Sequence, residues 1–367
     1  MTSRRPAREV VGTTPGTLTR QGQFLAGDGV RGMGMVCVLF AHLAPGALVL
    51  VGVYSLGMRA AYGTVPGILM SGLQLAVPMF FVLSAYLISR PWVRAYVLGR
   101  RTPSLRAYLL HRVLRIVPVF WLLTALTLIA FGAHGSSPLD LLTIFGFGQI
   151  YHASGASLFV GQAWTIDMEV GFYLLVPPSA WLLTYATRRW AKATGRDLSQ
   201  RARIALVTAL LAVLTLASAW LRGDTIGSLW NASPPATFYY FGPGIALAAL
   251  EIGVAGPVAR RRLRAVPPIF GVSAAVLAVL LAISESTDDD AIIRGRAAAA
   301  VALASGLALA ALLARQLARG DSPPWVDNRV TRWLGARSYP CYIVQTATVA
   351  LAVLILGRGS SPWLEFL

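Results

Sequence analysis

Long apolar stretches recur from about residue 32 to the end of the chain, separated by short polar segments rich in arginine. A helix needs about 20 mostly apolar residues to cross the hydrocarbon core of a membrane. Candidate spans lie near 32–54, 69–89, 110–132, 165–185, 204–222, 236–255, 266–284, 297–314 and 338–357. A further apolar run, 139–150, is too short to span and contains Gly146 and Gly148. This pattern predicts an all-α, polytopic membrane bundle of about nine full spans plus one short apolar segment that does not cross. The first 22 residues, MTSRRPAREVVGTTPGTLTRQG, are basic, polar and rich in Thr and Gly, which reads as a disordered cytosolic tail. They contain no short apolar core followed by a small-residue cleavage site, so no removable signal peptide is expected. Residues 23–367 read as one membrane domain.

Composition supports this class and excludes others. Of 367 residues, 56% are hydrophobic and 13% charged, and the mean hydropathy is +0.63. Soluble domains carry about 25% charged residues, and disordered chains are poor in apolar ones. The formal net charge is +17, from 32 basic and 15 acidic residues. Taken alone, that charge fits nucleic acid, anionic lipid, an anionic substrate or membrane topology. Its distribution decides. With nine crossings and the amino terminus inside, 27 of the 32 basic residues fall on one side of the membrane, as the enrichment of Lys and Arg in short cytoplasmic loops requires. Only Arg59, Arg222, Arg294, Arg296 and Arg358 fall on the other side. The bilayer therefore accounts for the charge, and nucleic acid is not needed as a partner. Lys192 is the sole lysine, a bias expected of a G+C-rich genome rather than of recognition chemistry. Cys37 and Cys341 both fall in apolar stretches and form neither a disulfide framework nor a metal-binding pair.

Ionisable residues inside spans are costly and mark candidate sites. Arg31 and His42 lie eleven positions apart in the first span. On a helix this places them roughly 16 Å apart and about 20° out of line. One face then carries an arginine at the cytosolic boundary and an imidazole near mid-membrane, where it can accept a proton from a hydroxyl. A snorkelling anchor and a packed polar histidine explain the same spacing equally well. Arg112 and Arg115 share a face at the start of the third span, and paired guanidinium groups suit phosphates. Topological anchoring is the stronger reading of that pair taken alone. Trp164, Asp167 and Glu169 bring two carboxylates into a span from its outer end. Tyr339, Tyr342 and Gln345 place two phenols and an amide near one face of the last span.

Together these pieces resemble the acyltransferase 3 family of integral membrane O-acyltransferases. Asp28-Gly29-Val30-Arg31-Gly32 with His42 is similar to that family's opening element. Phe80-Phe81-Val82-Leu83-Ser84-Ala85-Tyr86-Leu87-Ile88 resembles its second, with Ala85 where glycine is usual. Arg112 to Pro118, Trp164 to Leu175, and Leu334-Gly335 with Ser338, Tyr339 and Tyr342 resemble three more, in the family's order. Two departures stand out. Gln345 occupies the place of a usual histidine, and the family pattern is ten spans, one more than the nine read here.

The resemblance implies an acyltransferase without a tightly bound cofactor. It would move an acetyl or other short acyl group from cytosolic acyl-CoA to a hydroxyl of a sugar, glycan or glycosylated metabolite. It implies His42 as general base, assisted by Glu169, and Arg31, Arg112 and Arg115 as donor-phosphate ligands. Asp167, Trp164, Tyr339, Tyr342 and Gln345 are the acceptor-site candidates, and no metal is expected. A transporter or flippase for a glycan or acylated small molecule is the alternative. It is supported by the many spans and the short 139–150 segment, and opposed by the absence of an internal repeat.

Overall fold

The computed structural model describes residues 24–50, 72–73, 75–131, 137–151, 164–225, 233–254, 256–265, 268–287 and 291–355. The expected disordered tail, the acidic run Asp288-Asp289-Asp290 and the carboxyl-terminal residues lie outside these ranges. All regular structure among the described residues is helical. The long helices are α1 (Ala26–Leu50), α2 (Ala76–Val97), α3 (Leu105–Phe131), α5 (Trp164–Thr194), α6 (Gln200–Thr225), α10 (Pro268–Thr287), α11 (Ala291–Arg319) and α12 (Arg329–Ile355). Shorter helices are α4 (Pro138–Phe145), α7 (Pro234–Thr237), α8 (Gly242–Gly253) and α9 (Pro257–Leu263). Among the described residues, four segments are long and apolar enough to cross a membrane: Ala76–Val97, Leu105–Ile129, Gln200–Leu221 and Arg296–Arg319. With the shorter apolar helices Gly242–Gly253 and Pro268–Ile283, they fit a multi-pass membrane protein.

The stretch expected as a single span at 236–255 is broken. A single turn, α7, leads into a 3-10 turn at Phe238–Tyr240, and only then does α8 begin. Pro234, Pro235 and Pro243 each sit at the start of a helical piece, where a missing N–H costs nothing. The twelve residues of α8 reach only about 18 Å. The short apolar segment at 139–150 is the eight-residue α4 followed by a 3-10 turn at Gln149–Tyr151. Ser137 and Asp140 cap α4 reciprocally. The indole N–H of Trp121 donates to the Phe145 carbonyl at 2.9 Å, tying the end of α4 to α3.

Helix α2 is the hub. It packs on α1, α5, α6, α8 and α11, and Val82, Leu83 and Ala85 are fully buried. Gly244 on α8 faces the Val82 carbonyl and the Ala85 methyl so closely that a Cβ there would collide with both. A small residue on the partner helix thus makes room for Ala85. About two turns before α2 ends, Arg90 donates to Glu251 of α8 through Nε at 2.7 Å and Nη2 at 2.5 Å, and Tyr86 donates to the same carboxylate at 3.0 Å.

The basic segments gather at one end of the bundle. Arg203 Nη1 donates to the Tyr96 carbonyl, Arg264 Nε to the Ala318 carbonyl, and the Leu25 N–H to Gln316 Oε1. The Arg90–Glu251 pair has side-chain exposures of 17% and 8%. Removing one member of such a pair leaves the other charge buried, at a cost of about 3 kcal/mol or more. Glu251→Ala should therefore lower the detergent-solubilised melting temperature well beyond Glu251→Gln, which keeps an acceptor for Arg90 and Tyr86. Equal melting of both variants would remove this pair as the α2–α8 clasp.

Candidate active site

The site is built on a close helix crossing. A Cβ on Gly29 would strike the Val326 carbonyl, one on Gly32 the Thr331 carbonyl, and one on Gly335 the Asp28 carbonyl. Only glycines allow α1 to lie this close to the start of α12, the way small residues admit backbone contact between membrane helices. The crossing fixes Arg31 between Gly29 and Gly32, beside the turn of α12 that carries Ser338 and Tyr339.

Arg31 lines a cavity of about 80 Å³ with residues from four other helices. Helix α2 contributes Phe80, Phe81 and Ser84, and α3 contributes Arg115 and Ile116. Thr165, Glu169 and Tyr173 come from α5, at a spacing of four residues that puts them on one stripe. Ser338, Tyr339 and Tyr342 come from α12. Each of the five motifs singled out in the sequence therefore supplies part of a single wall. The polar lining is held in place by local bonds. Tyr339 Oη donates to the Ile116 carbonyl at 3.0 Å, fixing α12 against α3. The Tyr342 and Thr165 hydroxyls lie 3.0 Å apart in a hydrogen bond, fixing α12 against α5.

The cavity carries two guanidinium groups against one carboxylate. Arg31 is largely buried, with a side-chain exposure of 17%, and its ion pair to the exposed Asp28 is long at 3.6 Å. It lies within electrostatic reach of Arg115 and Glu169. Arg115 is exposed, so it belongs to the cavity's open edge. Such a site carries a net positive charge, favours an anion and can hold it by bidentate hydrogen bonds.

The remaining sequence candidates are placed as follows. His42 lies on the continuous helix α1, about three turns beyond Arg31, and its side chain is outside the described residues. Arg112 does not line the cavity. Its guanidinium stands over the rings of Tyr108 and Tyr173 at 5.8 and 5.4 Å, and its buried Nε has no hydrogen-bond partner among the described residues. Asp167 is buried and lies off the cavity, accepting the Ile150 N–H at 3.3 Å and so pinning the 3-10 turn after α4. Trp164 is half-buried and its ring packs 6.2 Å from Phe81. Gln345 is 4% exposed, and neither amide atom has a hydrogen-bond partner among the described residues. Four further residues, Ser84, Thr165, Tyr173 and Ser338, line the cavity without having been singled out. Their signal was their position within the motifs: Thr165, Tyr173 and Ser338 lie one helical turn from a chosen residue, and Ser84 lies in the second motif, which held no chosen residue.

A family model described as an acyltransferase domain matches residues 25–367, nearly the whole chain. The chain belongs to the acyltransferase 3 family. No curated protein and no solved structure matches it. As a member of this family with several apolar helices, it is a multi-pass membrane acyltransferase.

The Gln345 amide is buried with no partner among the described residues. A buried polar group without a partner destabilises by about 1–3 kcal/mol. Gln345→Leu should leave the melting temperature unchanged or raise it, since no bond among the described residues is lost. A clear fall would mean that Gln345 holds the fold together.

Proposed function

We propose that the protein transfers a short acyl group from cytosolic acyl-CoA to a hydroxyl of a carbohydrate or glycosylated metabolite. The observation that carries this reading is the convergence of all five family-like motifs on one cavity with two arginines and a carboxylate. In this reading the amino terminus is cytoplasmic, as the distribution of basic residues favours. Arg31 and Arg115 grip the donor's phosphates. Arg112, stacked on Tyr173, supports the same wall. The pantetheine arm then follows α1 toward His42, roughly 16 Å deeper, a distance suited to separating the anionic end of the donor from its thioester.

His42 Nε2 or Nδ1 takes the acceptor hydroxyl proton as the oxygen attacks the thioester carbon. The carbon–sulfur bond breaks, and the imidazolium returns its proton to the departing coenzyme A thiolate. Glu169 orients the acceptor or the imidazole. Tyr342 and Gln345, one turn apart on α12, face the acceptor side, and the Gln345 amide, which has no partner among the described residues, is available to a sugar hydroxyl. Direct transfer needs no covalent intermediate on the enzyme, and no side-chain pair with a nucleophile's arrangement is required.

The test is transfer of label from radiolabelled acetyl-CoA to a glycan or glycosylated acceptor by the purified protein. His42→Ala should lower the rate about a hundredfold or more at normal membrane expression. Unchanged turnover would remove His42 as base. Arg115→Ala should raise the acyl-CoA KM about tenfold, the loss expected for a charged hydrogen bond, while an unchanged KM would leave Arg115 a topological anchor. Movement of unmodified solute across proteoliposomes, without labelled product, would replace this reading with transport.

A further inference from the structure

Helices α5 and α6 are joined by the short segment 195–199, yet they make little direct contact. Consecutive helices with so short a connection normally pack side by side. Between them lies a cavity of about 540 Å³, floored by α2 and closed at one end by Pro234, Pro235 and Phe238. Its α5 wall includes Met168, Phe172, Leu175 and Ser179, about a quarter-turn around the helix from Glu169. Its α6 wall runs from Val207 through Leu211, Leu214 and Ser218 to Leu221. Those fourteen steps cover about 21 Å, more than the roughly 15 Å depth of one leaflet's hydrocarbon. The lining is almost wholly apolar, and Leu175, Leu210 and Leu214 are more than two-fifths exposed, so the cleft opens sideways into the bilayer.

Apolar walls alone would not select among lipids, because lipid tails are as apolar as leucine. The mouth at the Tyr96, Leu183 and Val207 end adds a charge. Arg203 stands 5.7 Å over the Tyr96 ring and one turn from Val207. Arg188, Arg189, Lys192, Arg196 and Arg201 are exposed on the adjoining ends of α5 and α6. Asp197 is the only carboxylate in this stretch. Trp190, 43% exposed, supplies the amphipathic ring expected at headgroup depth. The closed end, by contrast, is lined by Leu221, Pro234, Pro235 and Thr237, with no charged side chain among its lining residues. We infer that the cleft between α5 and α6 binds an anionic phospholipid, with one acyl chain between the helices and its phosphate head at the basic mouth. A basic pocket between membrane helices at the headgroup level is suited to such a lipid. The site is separate from the acyl-transfer cavity and does not depend on that activity.

The test is native mass spectrometry of the detergent-purified protein offered dioleoyl phosphatidylglycerol or dioleoyl phosphatidylcholine, which share their chains and differ in head charge. The expected result is one tightly retained phosphatidylglycerol and weaker retention of phosphatidylcholine. Arg188→Gln with Arg189→Gln, on an exposed surface, should lower phosphatidylglycerol retention about fivefold per charge removed and leave phosphatidylcholine unchanged. Ala180→Trp, which fills the cleft, should lower retention of both. Equal retention of the two lipids by the wild-type protein would overturn the inference, and it requires no variant to fold. So would undiminished phosphatidylglycerol binding in either variant.

Discussion

The candidate site depends on how closely α1 approaches α12. Gly29, Gly32 and Gly335 leave no room for a Cβ at the crossing, so the two backbones touch. A wider crossing would carry Arg31 away from Tyr339 and Tyr342 and open the small cavity to the membrane. The opening Asp28-Gly29-Val30-Arg31-Gly32 motif is therefore a packing device around a charge. Two glycines bring the helix in, and the arginine between them is delivered to a wall built by four others. In a membrane, where no hydrophobic force draws helices together, such close van der Waals contact supplies much of the association energy.

Helix α5 carries the second organising feature. One stripe, Thr165, Glu169 and Tyr173, faces the polar cavity, while Met168, Phe172 and Leu175 face the apolar cleft. An aromatic partition separates the two spaces. Phe172 stacks on Phe241 at 4.3 Å, and Phe81 packs against Tyr240 and Phe241 at 5.0 and 5.2 Å. A single helix thus keeps a polar cavity and an apolar cleft one residue apart, because successive residues on a helix point about 100° away from each other.

Much of this was legible before any coordinates. Apolar length and Arg placement give the multi-pass bundle, and the five motifs mark the five helices that meet at the cavity. What the sequence left open was side-chain direction and contact. Asp167 and Glu169 read alike as carboxylates entering a span, but their spacing of two turns them about 200° apart. Glu169 lines the cavity, and Asp167 accepts a backbone N–H from the turn after α4. Arg112 and Arg115 read as a matched pair, yet Arg112 is drawn over the Tyr108 and Tyr173 rings and only Arg115 reaches the cavity. The break at 236–255 was hidden because hydropathy does not register backbone geometry, although Pro234, Pro235 and the Gly242-Pro243-Gly244 run signal it. The splaying of α5 from α6 has no sequence signal, since each helix shows an ordinary apolar face.

In the proposed reading the donor's phosphates bind in the five-helix cavity. A structure of the protein with a non-transferable acyl-CoA thioether analogue tests it most directly. Phosphate density is expected within hydrogen-bond reach of Arg31 and Arg115, with the acyl carbon directed along α1 toward His42. Phosphates bound elsewhere on the chain, with the Arg31–Arg115–Glu169 cavity unfilled, would contradict it.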